Sequence, residues 1–328
     1  MPTETGVMFR REQHPAILID YARRVEAKGF NQLWVVEDCF YAGGIAQAAI
    51  ALAATTRLKV GMGINPAVAR NPAFLAMEYA TLANAFPGRF IGGIGHGVSG
   101  WMEQIGEKPV SWLTSISEIT TSVRRILRGE LVSIDGRYAR LSDIQLELAP
   151  GVVPPVLLGV RSEKSIRLAG ECADGLLVVE QSSVEYVRWA SDLMNEGRAS
   201  VGQSGTGHLI VYAYCVVDDV TPDTARRHVR EVIARENGSG LQPSVARAPF
   251  AGEMAELVTQ GGAEALRAGM QDGWLNQLAI TGTHAEALET FDRYAATGAD
   301  AIILVPPDDA DWNAWLDNPF MELVTARI

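Results

Sequence analysis

Eight short apolar runs punctuate this chain, with helical patterns between them, and that alternation constrains the fold more than any single motif. The runs are "GVMF" (6–9), "QLWVVED" (32–38), "LKVGMGI" (58–64), "FIGGIG" (90–95), "PVLLGV" (155–160), "GLLVVE" (175–180), "HLIVYAYCVV" (208–217) and "DAIILVP" (300–306). Runs such as "QLWVVED" are apolar in succession rather than alternating, which suits strands covered on both faces. The segments between read as helices. One, over 14–29, puts Leu18, Tyr21, Ala22 and Val25 on one face. Another carries Ile116, Ile119, Val123, Ile126 and Leu127 as a stripe of period 3.6. The junctions repeat as well. "KGFNQLWVV", "CADGLLVV" and "TGADAIILV" each leave a helix through a small residue and pass a polar position into a strand. A (β/α)8 TIM barrel explains eight strands in 328 residues better than an open doubly wound sheet does, although strand order is not visible in sequence.

The chain reads as one domain over residues 1–328, with insertions at about 131–150 and 238–276. Within the first insertion, "IDGRY" has the pattern of a hairpin turn. No apolar run reaches the length of a membrane span. The opening "MPTETGVMFRR" lacks the apolar core of a secretory signal. Cys39, Cys172 and Cys215 lie far apart with no C-x-x-C, so a disulfide framework or structural zinc is not expected, and a cytoplasmic location is. A net charge of −11 disfavours a nucleic-acid partner.

"FIGGIGHGVSGW" (90–101) places Gly95, Gly97 and Gly100 in the spacing G-x-G-x-x-G, which marks dinucleotide-binding turns. Such a turn belongs in the first βαβ unit, with an acid closing the second strand. Here it follows the fourth strand, and the acid at the matching distance, Glu118, lies within a helical stripe. A Rossmann reading is therefore disfavoured. In a barrel, a glycine loop after a strand lines the active-site face and brings backbone N–H groups close to a phosphate. A tight strand-to-helix turn without a ligand is the plainer alternative.

Two long segments carry a resemblance. "NPAFLAMEYATLANAFPGRFIGGIGHG" (71–97) and "PPVLLGVRSEKSIRLAGECADGLLV" (154–178) resemble two signatures of the luciferase-like monooxygenase superfamily, and 277–307 is similar to its C-terminal end. "VGMGINPAVARNP" (60–72) is similar to the strand-three segment of the coenzyme F420-dependent branch, which includes methylenetetrahydromethanopterin reductases and F420-dependent dehydrogenases. The resemblance implies a bacterial luciferase-like barrel and hydride transfer between a deazaflavin, F420, and a small organic substrate. FMN is the alternative cofactor. It implies that Gly61, Met62, Gly63 and Ile64 back the cofactor ring, with a cis peptide at Gly63–Ile64. It implies further that Gly95, His96, Gly97 and Val98 form the loop after strand four. Gly159, Val160, Arg161 and Ser162 would help hold the cofactor phosphate. It also implies a homodimer; no metal-ligating residues are expected in the site.

The chain departs from that branch at two places. Where relatives carry Asp-His at the end of strand two, this chain has Asp38-Cys39. Where sugar-phosphate dehydrogenases carry an acid after the strand-four glycines, it has Val98, so glucose 6-phosphate is not the expected substrate. Asp38, Cys39 and His96 are the candidate catalytic groups. The plainer roles are a cap for Asp38, a buried filler for Cys39 and a backbone-bonded histidine for His96. Arg161 reads as a phosphate partner or a surface cation, and Tyr41, Trp101 and Trp112 as pocket wall or core. Two other functions compete: an FMN-dependent monooxygenase, and a non-catalytic flavin-binding protein on the same scaffold.

Overall fold

The computed structural model describes residues 3–327. Its strands, in chain order, are β1 (Glu4–Phe9), β2 (Gln32–Val35), β3 (Lys59–Met62), β4 (Asn65–Pro66), β5 (Phe90–Gly95), β6 (Val132–Asp135), β7 (Arg140–Ile144), β8 (Val156–Gly159), β9 (Gly175–Val178), β10 (His208–Val217), β11 (Ile280–Gly282) and β12 (Ala301–Val305). The eight anticipated runs are β1, β2, β3, β5, β8, β9, β10 and β12, joined by helices in the succession of a (β/α)8 TIM barrel. Five of them stop short of the predicted ends. The tails "VED", "GI", "V", "VE" and "P" leave the sheet and enter the loops beyond β2, β3, β8, β9 and β12.

The chain divides into two compact units. One comprises Met8–Leu177 and Leu193–His208, and its parallel strands lie in the order β2–β3–β5–β8–β9. Val35 is level with Met62, Gly92 with Val156 and Gly95 with Gly159. Its interior holds Leu33, Trp34, Val60, Met62, Ile94, Leu157, Leu158 and Leu176, all essentially without solvent contact. In the other unit, built from Val178–Asp192, the chain from Leu209 and the N-terminal segment up to Val7, the order is β11–β10–β12–β1. There Val7 is level with Leu304 and Tyr214 with Val305.

Local chemistry sets the helix starts. Asn71 accepts the amide of Ala73 and Pro72 occupies the first turn of the helix Pro72–Ala85. Thr283 and Glu286 form a reciprocal capping box on His284–Ala295. The first insertion contains the antiparallel hairpin β6–β7, closed across Asp135 and Arg140, with "IDGRY" as its turn. The carboxylate of Glu118 accepts the amides of Arg137, Tyr138 and Ala139. The acid at the fingerprint distance therefore orders this hairpin. In the second insertion the helix Ala251–Gly269 is interrupted where Gly261 and Gly262 leave helical geometry, Gly262 with φ of 59°. The short strand β11 and the helices Ser99–Gln104, Trp312–Leu316 and Phe320–Thr325 were not anticipated, because each is too short to display a period.

Candidate active site at the strand ends

The anticipated site residues all fall in one unit, at or just beyond the C-terminal ends of β2, β3, β5 and β8, the face on which barrel enzymes build their sites. The peptide Gly63–Ile64 is cis, as expected, and Cys39–Phe40 is cis as well. The Gly63 amide donates to the Val35 carbonyl at 2.9 Å, which joins the loops beyond β2 and β3.

The glycines here have a packing reason. A Cβ on Gly95 would lie 2.6 Å from Ile64 Cδ1 and 3.0 Å from the Gly159 carbonyl, and one on Gly159 would lie 2.6 Å from Ile64 Cγ2. Ile64 thus occupies space that two strand-end glycines leave open. A Cβ on Gly93 would meet the Met62 carbonyl at 1.8 Å, and one on Gly61 would enter the Trp34 ring. Gly97 sits at φ of 75°, in the turn from β5 into the helix Ser99–Gln104. A Cβ on Gly100 would have nothing within 4 Å, so this position makes no steric demand for glycine. The G-x-G-x-x-G spacing is therefore two structural glycines and one incidental one, and the dinucleotide reading falls.

His96 stands directly after β5. Its Nε2 lies 3.1 Å from Ser165 Oγ, and Ser165 Oγ accepts from Ser162 Oγ at 3.0 Å. Trp112 meets the imidazole edge-on at 5.8 Å between centroids. Burial holds the His96 pKa below the ordinary histidine value. Its Nδ1 is buried without a partner among the described residues, so a polar group of a ligand would satisfy it. Arg161 and Ser162 are exposed at the start of the helix Glu163–Cys172, where Ser162 makes no side-chain cap. A helix start of this kind offers its first-turn amides to an anion.

On the other side of the site, Asp38 accepts from Arg11 Nη1 at 2.9 Å, and Arg11 also bonds Glu12 at 2.8 Å. The Arg11 guanidinium lies over the rings of Tyr41 and Trp101, 5.4 and 5.9 Å from their centroids. Tyr41 and Phe40 are among the more exposed aromatic residues, so Tyr41 belongs to a rim, not to the core. Burial raises the Cys39 thiol pKa, and the carboxylates of Glu37 and Asp38 add to that. Val98, in the slot of the missing acid, is half exposed.

Glu37 was not singled out in the sequence, yet it organises this corner. Its Oε1 accepts from Asn65 Nδ2 at 2.9 Å and its Oε2 from the Gly44 amide at 2.9 Å. Arg70 pairs with both oxygens, Nη2 to Oε2 at 2.8 Å. The Tyr79 hydroxyl lies 2.8 Å from Asn65 Oδ1 and 3.1 Å from the Gly93 carbonyl. Four segments are tied through one carboxylate. The "VVED" run displays two acids, and nothing in its spacing says which one turns inward. Arg11 and Ser165 were missed for a similar reason, since their partners are 27 and 69 residues away.

Three comparisons bear on identity. The family model described as luciferase-like monooxygenase matches residues 1–301. A 5,10-methylenetetrahydromethanopterin reductase of Archaeoglobus fulgidus is 25% identical over 319 residues, 93% of this chain and 94% of the relative. An F420-dependent glucose-6-phosphate dehydrogenase of Segniliparus rotundus is 28% identical over 225 residues, 63% of this chain and 66% of the relative. Among solved structures, the coenzyme F420 dependent tetrahydromethanopterin reductase from Methanopyrus kandleri superposes with a TM-score of 0.79 at 20% identity, covering 100% of this chain and 99% of that one. With a family model spanning seven of the eight barrel strands and reaching the first residue of β12, the chain belongs to the luciferase-like monooxygenase family.

Proposed function

We propose that this chain is a coenzyme F420-dependent oxidoreductase acting on a small organic substrate. The observation that carries the reading is the buried, unpartnered Nδ1 of His96 beside the Ile64–Gly95–Gly159 packing at the strand ends. It is supported by similarity to proteins named as F420-dependent or as reductases of a methanopterin. The residues present fit such a group: an apolar backing at Gly61–Ile64, a buried imidazole at Gly95–Val98, and a cation at a helix start at Gly159–Ser162. When bound, a deazaflavin supplies hydride transfer at its central ring.

The chain's own residues divide the remaining work. Neutral His96 offers Nδ1 as acceptor or donor according to tautomer, and Ser165 holds its Nε2. Arg161 and the amides after Ser162 bind a phosphate. Asp38, oriented by Arg11, helps hold the polar edge of the cofactor, while Cys39 lines the substrate side as a neutral thiol. With no imidazole at position 39 and no acid at position 98, two proton groups of the related dehydrogenases are absent, which favours solvent or substrate as the source of the proton. Tyr41, Trp101 and Phe40 form an aromatic rim at the entrance.

Titration of the purified protein with F420, FMN and NADPH tests the reading. F420 binding with turnover of oxidised and reduced deazaflavin is expected. The family description includes monooxygenases, so FMN is the second reading. Tight FMN binding with oxygen consumption would replace the proposal by it. F420 binding without hydride exchange would instead indicate a carrier protein.

A further inference from the structure

A cavity lies at the opposite ends of the strands, and its chemistry differs from that of the site above. It encloses about 380 Å³, within the range of small-molecule pockets. Pro155 and Val156 at the start of β8, Asp174 just before β9 and His208 at the start of β10 form one side. Backbone bonds fix this wall: the Asp174 amide donates to the Val156 carbonyl at 2.8 Å, and the His208 amide to the Asp174 carbonyl at 3.0 Å. Val153, Pro154 and Leu127 add an apolar surface, and Arg124, Arg128 and Arg198 add three guanidinium groups.

The charges do not cancel. Arg124 pairs with both oxygens of Asp174 and also donates to the Cys172 carbonyl at 2.9 Å. Asp174 additionally accepts the Val156 amide at 2.9 Å, so its acceptor positions are largely used. Arg128 reaches that carboxylate only at 4.0 Å. Arg198 donates to the Gly205 carbonyl at 3.4 Å and has no ion pair among the described residues. Two guanidinium charges therefore face one cavity without a carboxylate of their own, in a chain whose net charge is −11. A barrel with that acidic balance would repel anions from most of its surface and concentrate them here.

We infer that this cavity binds a phosphomonoester with a compact apolar body. Arg128 and Arg198 would grip the phosphate, and Val153, Pro154 and Leu127 would cover the body. The inference does not depend on the cofactor assigned to the opposite face.

His208 lines the cavity and His96 marks the other site, among only five histidines in the chain, so each can be followed separately. The full chain, with isotope-labelled histidine, is titrated by NMR with phenyl phosphate and, separately, with inorganic phosphate. Saturable shifts of the His208 ring are expected with phenyl phosphate, at a midpoint at least tenfold lower than with inorganic phosphate. R128Q/R198Q, whose side chains both reach solvent, should retain the wild-type circular dichroism and weaken phenyl phosphate binding at least tenfold. R128K/R198K, which keeps the charge but loses the planar fork, should fall between. An unmoved His208, equal affinity for the two probes, or binding that survives R128Q/R198Q would each overturn the inference.

Discussion

Neutral histidine at position 96 is a statement about stability as well as chemistry. Burial depresses its pKa in the folded chain, while the unfolded chain keeps a value near ~6.5. Between the folded value and ~6.5 the unfolded state binds more protons, so stability rises with pH across that window. The contribution is fully present above ~6.5 and is lost as pH falls toward the folded value. Substituting His96→Gln should therefore flatten the dependence of Tm on pH below ~6.5, read by thermal scans across a buffer series. An unchanged slope would mean that another group controls it. Cys39 behaves in the opposite sense, because burial and its acidic neighbours favour the uncharged thiol. A neutral thiol lining the substrate side makes Cys39→Ser a mild change: cofactor affinity should hold and turnover should fall by no more than about tenfold, roughly 1.4 kcal/mol in barrier. Asp38→Ala should weaken cofactor binding instead. Binding titrations and steady-state rates on the two variants would separate these roles, and loss of all turnover in Cys39→Ser would make the thiol an essential catalyst.

At the scale of elements, the strand-end glycines and the Glu37 network hold the loops in register. Gly93→Ala drives a methyl into the Met62 carbonyl and should destabilise by about 3 kcal/mol or more, since backbone has little room to give. Gly100→Ala meets open space in a helix and should be neutral or stabilising by up to about 1 kcal/mol. Urea unfolding of both variants tests whether the motif is packing or fingerprint. A phosphate-binding fingerprint would make Gly100 the sensitive position. Arg70→Ala removes the charge partner of Glu37, whose side chain is 12% exposed. The pair is only partly buried, so a loss of about 2 kcal/mol is expected, below the range for fully buried pairs. Cofactor affinity should drop with it, because the loops beyond β2 and β3 lose their common tether. If stability changes by less than ~0.5 kcal/mol, the network does not organise this corner.

For the molecule as a whole, the homodimer that the family resemblance implies would have to form through apolar contacts. A chain with net charge −11 gains nothing electrostatically by meeting its own copy, yet Phe74 and Met77, one turn apart on the helix Pro72–Ala85, are 64% and 49% exposed. We propose a homodimer. Light scattering at micromolar concentration should give twice the 35.4 kDa chain mass at both low and high salt. A monomer under both conditions would remove the proposal.

The strand and helix succession was legible in the sequence because apolar runs and a 3.6-residue stripe are local signals. β5 and β10 keep the residue limits that their hydrophobic runs displayed, and the "IDGRY" turn lies where its residues placed it. That the loops after these strands share one face was likewise readable, since a (β/α)8 succession puts every such loop there, whereas the particular candidate residues came from the family resemblance. What the tertiary structure alone decided were the partners. Which acid of "VVED" turns toward Arg70, which cation reaches Asp38, and which hydroxyl holds His96 depend on contacts between positions 33, 27 and 69 residues apart. The role of the glycines was decided the same way: the sequence displays a spacing, but only packing against Ile64, Met62 and Tyr79 shows which of them have no room for a side chain.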